Sequence, residues 1–240
     1  MQETYQQHIS QGFNSDLKTL TLQLTHMGGL VEQQVNHATQ ALLGMNAELA
    51  QQVQAREAEV DNMDIALGEA CTRVLALRQP AASDLRRVVA ISKCVSDLER
   101  IGDEANKIAR MTLQLIEEGA AQRGYVEVRH ISQQVIGMLH DVLHAFVRQD
   151  VAQAVAVAGQ DEAVDMEYHS AMRALITLMM EDPRSISQVL NVLWILRALE
   201  RIGDHVCNIA EQVLYLVKGR DMRHASPEEM KALLDKPAKD

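Results

Sequence analysis

Aromatic residues are scarce, with one Trp, four Tyr and two Phe among 240 residues, and there are only four Pro. A β-sandwich or barrel draws on aromatic and β-branched strands separated by frequent turns, so this scarcity argues for helices resting on Leu, Val, Ala, Ile and Met. Basic residues are also short, 23 against 33 acidic for a formal charge of −10. A binder of phosphate backbones needs a basic face, and nucleic acid is therefore not the expected ligand. The three cysteines, Cys71, Cys94 and Cys207, form no CxxC pair. They fit neither a disulfide framework nor a zinc site, and read as small core residues in a reducing compartment. Met1 to Asn14 lacks an apolar signal core, and the longest apolar stretch, Val189 to Leu199, is interrupted by Asn191 and Arg197. The expectation is a soluble cytoplasmic chain that reaches a membrane only through partners. HExxH, GxGxxG and P-loop motifs are absent.

What is present is helical periodicity. Leu20, Leu24, Met27, Val31, Val35, Ala38 and Leu42 recur at steps of three and four and predict a helix over residues 16–45. A second stripe runs from Val53 through Val60, Met63, Leu67 and Val74 to Leu77, and Arg78-Gln79-Pro80 ends it. A third helix carries Val88, Ile91, Val95, Leu98, Ile101, Ala105, Ile108 and Leu115 up to a stop at Gly119. The pattern then restarts: Val128 to Phe146, Ala154 to Leu178 with a break at Pro183, and Val189 to Leu216 with a stop at Gly219.

The restart is a true repeat, because Leu98-Glu99-Arg100-Ile101-Gly102-Asp103 returns unchanged as Leu199-Glu200-Arg201-Ile202-Gly203-Asp204. The first two helices of each half align at an offset of 104 and the third at 101, which places the length difference in the Pro-containing loops. The expected architecture is all-α: two tandem antiparallel three-helix bundles, residues 8–119 and 125–219, followed by a tail over 220–240. In the tail, Ser226-Pro227-Glu228-Glu229 has the form of a capping box opening a short helix to about Leu234, and disorder is expected after Lys236.

Glu57 falls between Val53 and Val60, and Asp161 between Val157 and Val164, both on apolar stripes. A charge at such a position is costly unless paired or metal-bound. Each is followed four residues later by Asp61 or Asp165, and the third helices repeat the spacing as Glu99/Asp103 and Glu200/Asp204, around Gly102 and Gly203. On a helix this spacing puts both carboxylates on one face. Four carboxylates on one seam need protonation, arginine partners or cations. The cations suited to an all-oxygen set are Mg, Mn or Fe, with Zn less suited for want of His or Cys. The competing reading pairs these acids with Arg56, Arg100 and Arg201 on solvated helix faces. Lesser candidates are Glu127-x-x-His130, a single copy of a di-iron spacing, the His140/His144 pair, and Arg86-Arg87 near the third helix start.

The doubled Leu-Glu-Arg-Ile-Gly-Asp, the segment Arg78-Gln79-Pro80-Ala81-Ala82-Ser83-Asp84-Leu85-Arg86 and the early Met27-Gly28-Gly29-Leu30-Val31-Glu32 resemble the bacterial PhoU family of phosphate-signalling regulators, from about His8 to about Leu234. The resemblance implies a cytoplasmic homodimer with metal clusters on Glu57, Asp61, Glu99, Asp103, Asp161, Asp165, Glu200 and Asp204. It further implies a non-enzymatic negative regulator of the phosphate-starvation response, an adaptor that links the ATPase of the phosphate ABC transporter to the sensor histidine kinase and restrains phosphate uptake. One departure from the family pattern is Lys107-Ile108-Ala109 where the second half has Asn208-Ile209-Ala210. Two other readings of the same carboxylates are a metal-dependent hydrolase or oxidase and a metal-free helical scaffold.

Overall fold

A computed structural model describes residues 2–119, 125–223, 225–232 and 234. Among them are nine α-helices and no strand: α1 Gln2–Gly44, α2 Ala47–Ala55, α3 Glu57–Arg78, α4 Ala82–Glu117, α5 Tyr125–Arg148, α6 Val151–Ala158, α7 Asp161–Glu181, α8 Ile186–Lys218 and α9 Pro227–Lys231. The first half packs α1 and α4 with the broken rod α2–α3, and the second packs α5 and α8 with the broken rod α6–α7. Each half is a three-helix bundle. The expected disorder beyond Lys236 lies outside the described residues.

The second and fifth predicted helices are each two helices, which corrects the continuous stripes read from the sequence. At Arg56 and at Gly159-Gln160 the backbone tightens into three-residue hydrogen bonds, Arg56 N to Val53 O at 3.2 Å and Gln160 N to Val157 O at 2.9 Å. The apolar stripe survives each break because Val53 and Val60, like Val157 and Val164, stay buried on either side. The first helix also starts earlier than residue 16, since polar Gln- and Glu-rich chain extends an existing helix without needing an apolar stripe.

Local geometry repeats with the sequence. Asn46 and Asp150, 104 residues apart, are the N-caps of α2 and α6, accepting from Leu49 N and Gln153 N, each at 3.0 Å. Their predecessors Met45 and Gln149 share a left-handed backbone, with φ of 49° and 55°. Gly219 ends α8 at φ 66°, where the missing Cβ removes the strain. Ser226 and Glu229 form the expected capping box of α9.

The long helices join the halves. α4 packs on α8, α1 on α4, α5 on α8, and α1 closes the ring against α5. They meet at an apolar junction lined by Leu24, Leu98, Leu143 and Ile209. At the α1–α5 crossing, Gly28 permits close approach: a Cβ there would lie 2.7 Å from Leu143 Cδ2. α4 and α8 run antiparallel, as their polar links show. Asn208 Nδ2 donates to Asp97 Oδ1 at 3.0 Å, His205 Nδ1 lies 3.0 Å from the same oxygen, and Arg201 Nη1 is 3.2 Å from Glu104 Oε1. Asp97, Glu104 and His205 are all buried, so these bonds fix the register of the two helices.

Two stability changes follow. Truncating the junction with Leu98→Ala, at a fully buried position, is expected to cost about 2–5 kcal/mol in urea unfolding. Asn46→Ala or Asp150→Ala is expected to cost about 0.5–2 kcal/mol in the same assay, with the two losses of similar size.

Candidate metal centre

The helix breaks are what position the acids. Because α3 begins at Glu57 and α7 at Asp161, both carboxylates sit in a first helical turn, where the helix dipole favours negative charge. One turn on, Asp61 and Asp165 share the same face. α4 presents Glu99 and Asp103 to α3, and α8 presents Glu200 and Asp204 to α7. Gly102 and Gly203 face the rods at contact distance: Val60 Cγ1 lies 3.4 Å from a Cβ built on Gly102, and Asp161 Oδ1 3.4 Å from one built on Gly203.

In the first seam, one carboxylate oxygen each from Asp61, Glu99 and Asp103 lies within 4.8 Å of the others. Glu57 stands close enough to push up the Asp103 pKa, after burial as the leading cause and together with Asp61. Glu99 is raised by burial and then by Asp103, Asp64 and Asp61. Asp64 is a fifth acid of this seam that the Glu/Asp-x-x-x-Asp spacing missed, because it stands three residues after Asp61. In the second seam, burial, Asp204 and Asp165 push Asp161 to about 6, while the Cys207 thiol hydrogen-bonds it and pulls the other way. Glu200 and Asp204 are raised as well, each by burial first and then by a neighbouring acid. The eight predicted carboxylates thus gather as two groups of four.

The second group does not converge as the first does. Glu200 turns to Arg197, whose Nη1 donates to Glu200 Oε1, and the other oxygen, Oε2, is buried without a partner. The arginines that could have neutralised these acids are engaged elsewhere in two of three cases: Arg56 Nη1 donates to Gln33 Oε1 at 2.6 Å and Arg201 pairs with Glu104. Arg100 lowers Glu99 only weakly against the three acids that raise it. An all-oxygen donor set, raised pKa values and an orphaned buried carboxylate oxygen fit a hard cation.

The lesser candidates do not assemble. His130 Nδ1 pairs with Glu167 at 3.1 Å, and His140 Nδ1 with Glu32 at 3.0 Å beside the ring of His144. Arg86 and Arg87 are partly buried near the start of α4. Cys71 and Cys94 are core residues as expected, whereas Cys207 is only half-buried and faces the second seam. A further acid that the pattern missed is Glu211, pushed to about 7 by burial and by Asp221 and Asp97.

The PhoU domain family matches residues 24–112 and 128–213, one copy on each half. The chain belongs to the PhoU family. It is 56% identical over 224 residues to a phosphate-specific transport system accessory protein PhoU homolog of Pseudomonas aeruginosa, covering 93% of each chain. It is 44% identical over 227 residues to the phosphate-specific transport system accessory protein PhoU of Escherichia coli K12, covering 95% of this chain and 94% of that one. Among solved structures, the crystal structure of PhoU from Pseudomonas aeruginosa superposes with a TM-score of 0.85 at 56% identity, covering 87% of this chain and 100% of that one. The phosphate transport system regulatory protein PhoU from Streptococcus pneumoniae superposes at 0.80 with 32% identity, covering 87% and 98%. No described helix of this PhoU protein is long and apolar enough to cross a membrane.

The raised acids set a pH dependence. A carboxyl whose folded pKa lies above its unfolded one stabilises the fold below the unfolded value, and that contribution is lost as pH rises through the folded value. Chelator-treated protein is therefore expected to lose thermal stability as pH rises from about 4 to about 7, from the ordinary carboxyl range up to the folded values of Asp161 at about 6 and Glu211 at about 7. Asp161→Asn is expected to flatten that slope in calorimetry and to raise Tm at pH 7.5 by about 2–4 °C.

Proposed function

We propose that this PhoU protein is a non-enzymatic negative regulator of the phosphate-starvation response. In this reading it is a cytoplasmic adaptor between the ATPase of the phosphate ABC transporter and the sensor histidine kinase, restrains phosphate uptake, acts as a homodimer, and holds Mg, Mn or Fe on its carboxylate seams. The family and the names of its relatives, a transport system accessory protein and a transport system regulatory protein, support the regulatory role. The convergence of Asp61, Glu99 and Asp103 carries the metal reading.

The residues would share the work as follows. Glu57, Asp61, Glu99 and Asp103 hold a cation in the first seam, and Asp161, Asp165, Glu200 and Asp204 hold one in the second. A bound cation supplies the positive charge that lets these acids stay ionised against one another. On α4 the seam acids Glu99 and Asp103 alternate with Asp97 and Glu104, which hold α8. Charge on the seam therefore acts on the same helix that joins the halves. The long helices provide rigid faces about 45 Å in length for partners.

A phosphate-starvation reporter in phosphate-rich cells tests this directly. Loss of the protein is expected to raise reporter output and wild type to restore repression, while a folded variant with Glu99, Asp103, Glu200 and Asp204 changed to Ala fails to restore it. Output that stays low without the protein overturns the regulatory reading. For the metal, millimolar Mn2+ is expected to raise Tm at pH 7.5 and to do so less at pH 5.5, where the raised carboxyls compete for protons.

A further inference from the structure

The two seams occupy equivalent places, yet the residues around the four shared acids differ in sign. Applying the repeat offsets, Asp64 of the first half corresponds to Tyr168 of the second, and Ser96 to Arg197. Asp64 adds an acid to the first seam, close enough to raise Glu99. Arg197 adds a cation to the second. Its Nη1 donates to Glu200 Oε1, and its guanidinium carbon stands 6.0 Å from the centroid of the Tyr168 ring. Tyr168 and Arg197 thus form a pair that replaces Asp64 and Ser96.

The consequence shows in the geometry. Asp61, Glu99 and Asp103 converge within 4.8 Å, and among the described residues this is the only such group. The equivalent trio, Asp165, Glu200 and Asp204, does not, because Glu200 is committed to Arg197. Glu200 is only 7% exposed, and its second oxygen has no partner. That oxygen is a donor held ready while the first is engaged. On α1, Gln34 is 2% exposed with both amide atoms unpartnered, and its Oε1 lies 3.3 Å from a Cβ built on Gly102. The first half has an extra cation of its own in Lys107, which pairs at 2.7 Å with buried Glu104 and stands close enough to Asp103 to lower its pKa, but it is bonded to no acid of the first seam as Arg197 is to Glu200 of the second.

We propose that Arg197 is a built-in counter-cation that makes the second carboxylate seam bind metal more weakly than the first. The inference rests on the metal reading above and adds that the two seams are unequal and that one side chain sets the difference. An ion entering the second seam must either displace the guanidinium from Glu200 or bind beside a like charge. An ion entering the first meets five acids, Glu57, Asp61, Asp64, Glu99 and Asp103, with Ser96 in place of the arginine. The arrangement gives two binding steps from two copies of one motif, the second opened only at higher metal concentration.

The test is a Mn2+ titration of the chelator-stripped full chain, with free Mn2+ read by its electron paramagnetic resonance signal. Wild type is expected to show two classes of site, the weaker by at least about tenfold. The tight class is expected to vanish in the double variant Asp61→Asn, Asp103→Asn. Arg197→Ser, which installs the first half's residue, is expected to bring the weak class within about threefold of the tight one. Arg197→Lys keeps the charge and is expected to leave the weak class weak. Arg197 is half-exposed, and unchanged helical circular dichroism confirms that each variant folds. Two equal classes in wild type, a tight class that survives the Asp61/Asp103 changes, or a weak class unmoved by Arg197→Ser would each overturn the inference and leave the metal reading standing. No binding to wild type or to Arg197→Ser would remove both.

Discussion

The packing of α4 against α8 is the contact on which the rest of this protein depends. Each helix carries one copy of Leu-Glu-Arg-Ile-Gly-Asp and must face three ways at once. Leu98, Ile101, Leu199 and Ile202 are buried in the core. Asp97 and Glu104 reach across to His205, Asn208 and Arg201. Glu99, Asp103, Glu200 and Asp204 point to the outer rods and build the seams. A helix with only 3.6 residues per turn can serve three such directions over this length only if every position is assigned, which is why the motif is dense.

Charge repulsion is the second organising force, and the fold holds it in place rather than relieving it. Burial and neighbouring acids raise Glu99, Asp103, Asp161, Glu200 and Asp204 together. Dispersed on a surface, the same acids would gain by separating, but helix packing holds them together. Stability is thereby tied to protons, because each raised carboxyl binds its proton more tightly in the folded chain than in the unfolded one. The helix breaks before Glu57 and Asp161 belong to the same design, since each places its acid in a new first turn, where the helix dipole favours negative charge.

Much of this was legible in the residues. The all-α class, the six rods, the internal repeat and the eight carboxylates follow from period, spacing and identity, because a long apolar stripe leaves few alternatives to a packed helix. The break at Gly159 had a signal in the glycine itself, whereas the one at Arg56 had none, since Gln54-Ala55-Arg56-Glu57 is good helix-forming sequence. Asn46 and Asp150 carry a cap signal in their residue type and matching place in the repeat, which an apolar stripe running through the break does not register. Asp64 stands outside the four-residue spacing of the paired acids, and its approach to Glu99 depends on how α3 sits against α4.

The sequence by itself determined the six rods and which of their faces carry acid, since both depend on neighbours within a few residues along the chain. Only the tertiary structure decided which acids converge, that Arg201 goes to Glu104 across the α4–α8 contact, and that Cys207 faces a carboxylate instead of the core. These are choices among partners on different helices, and the packing of the rods sets them. Identical motifs therefore ended in unequal surroundings.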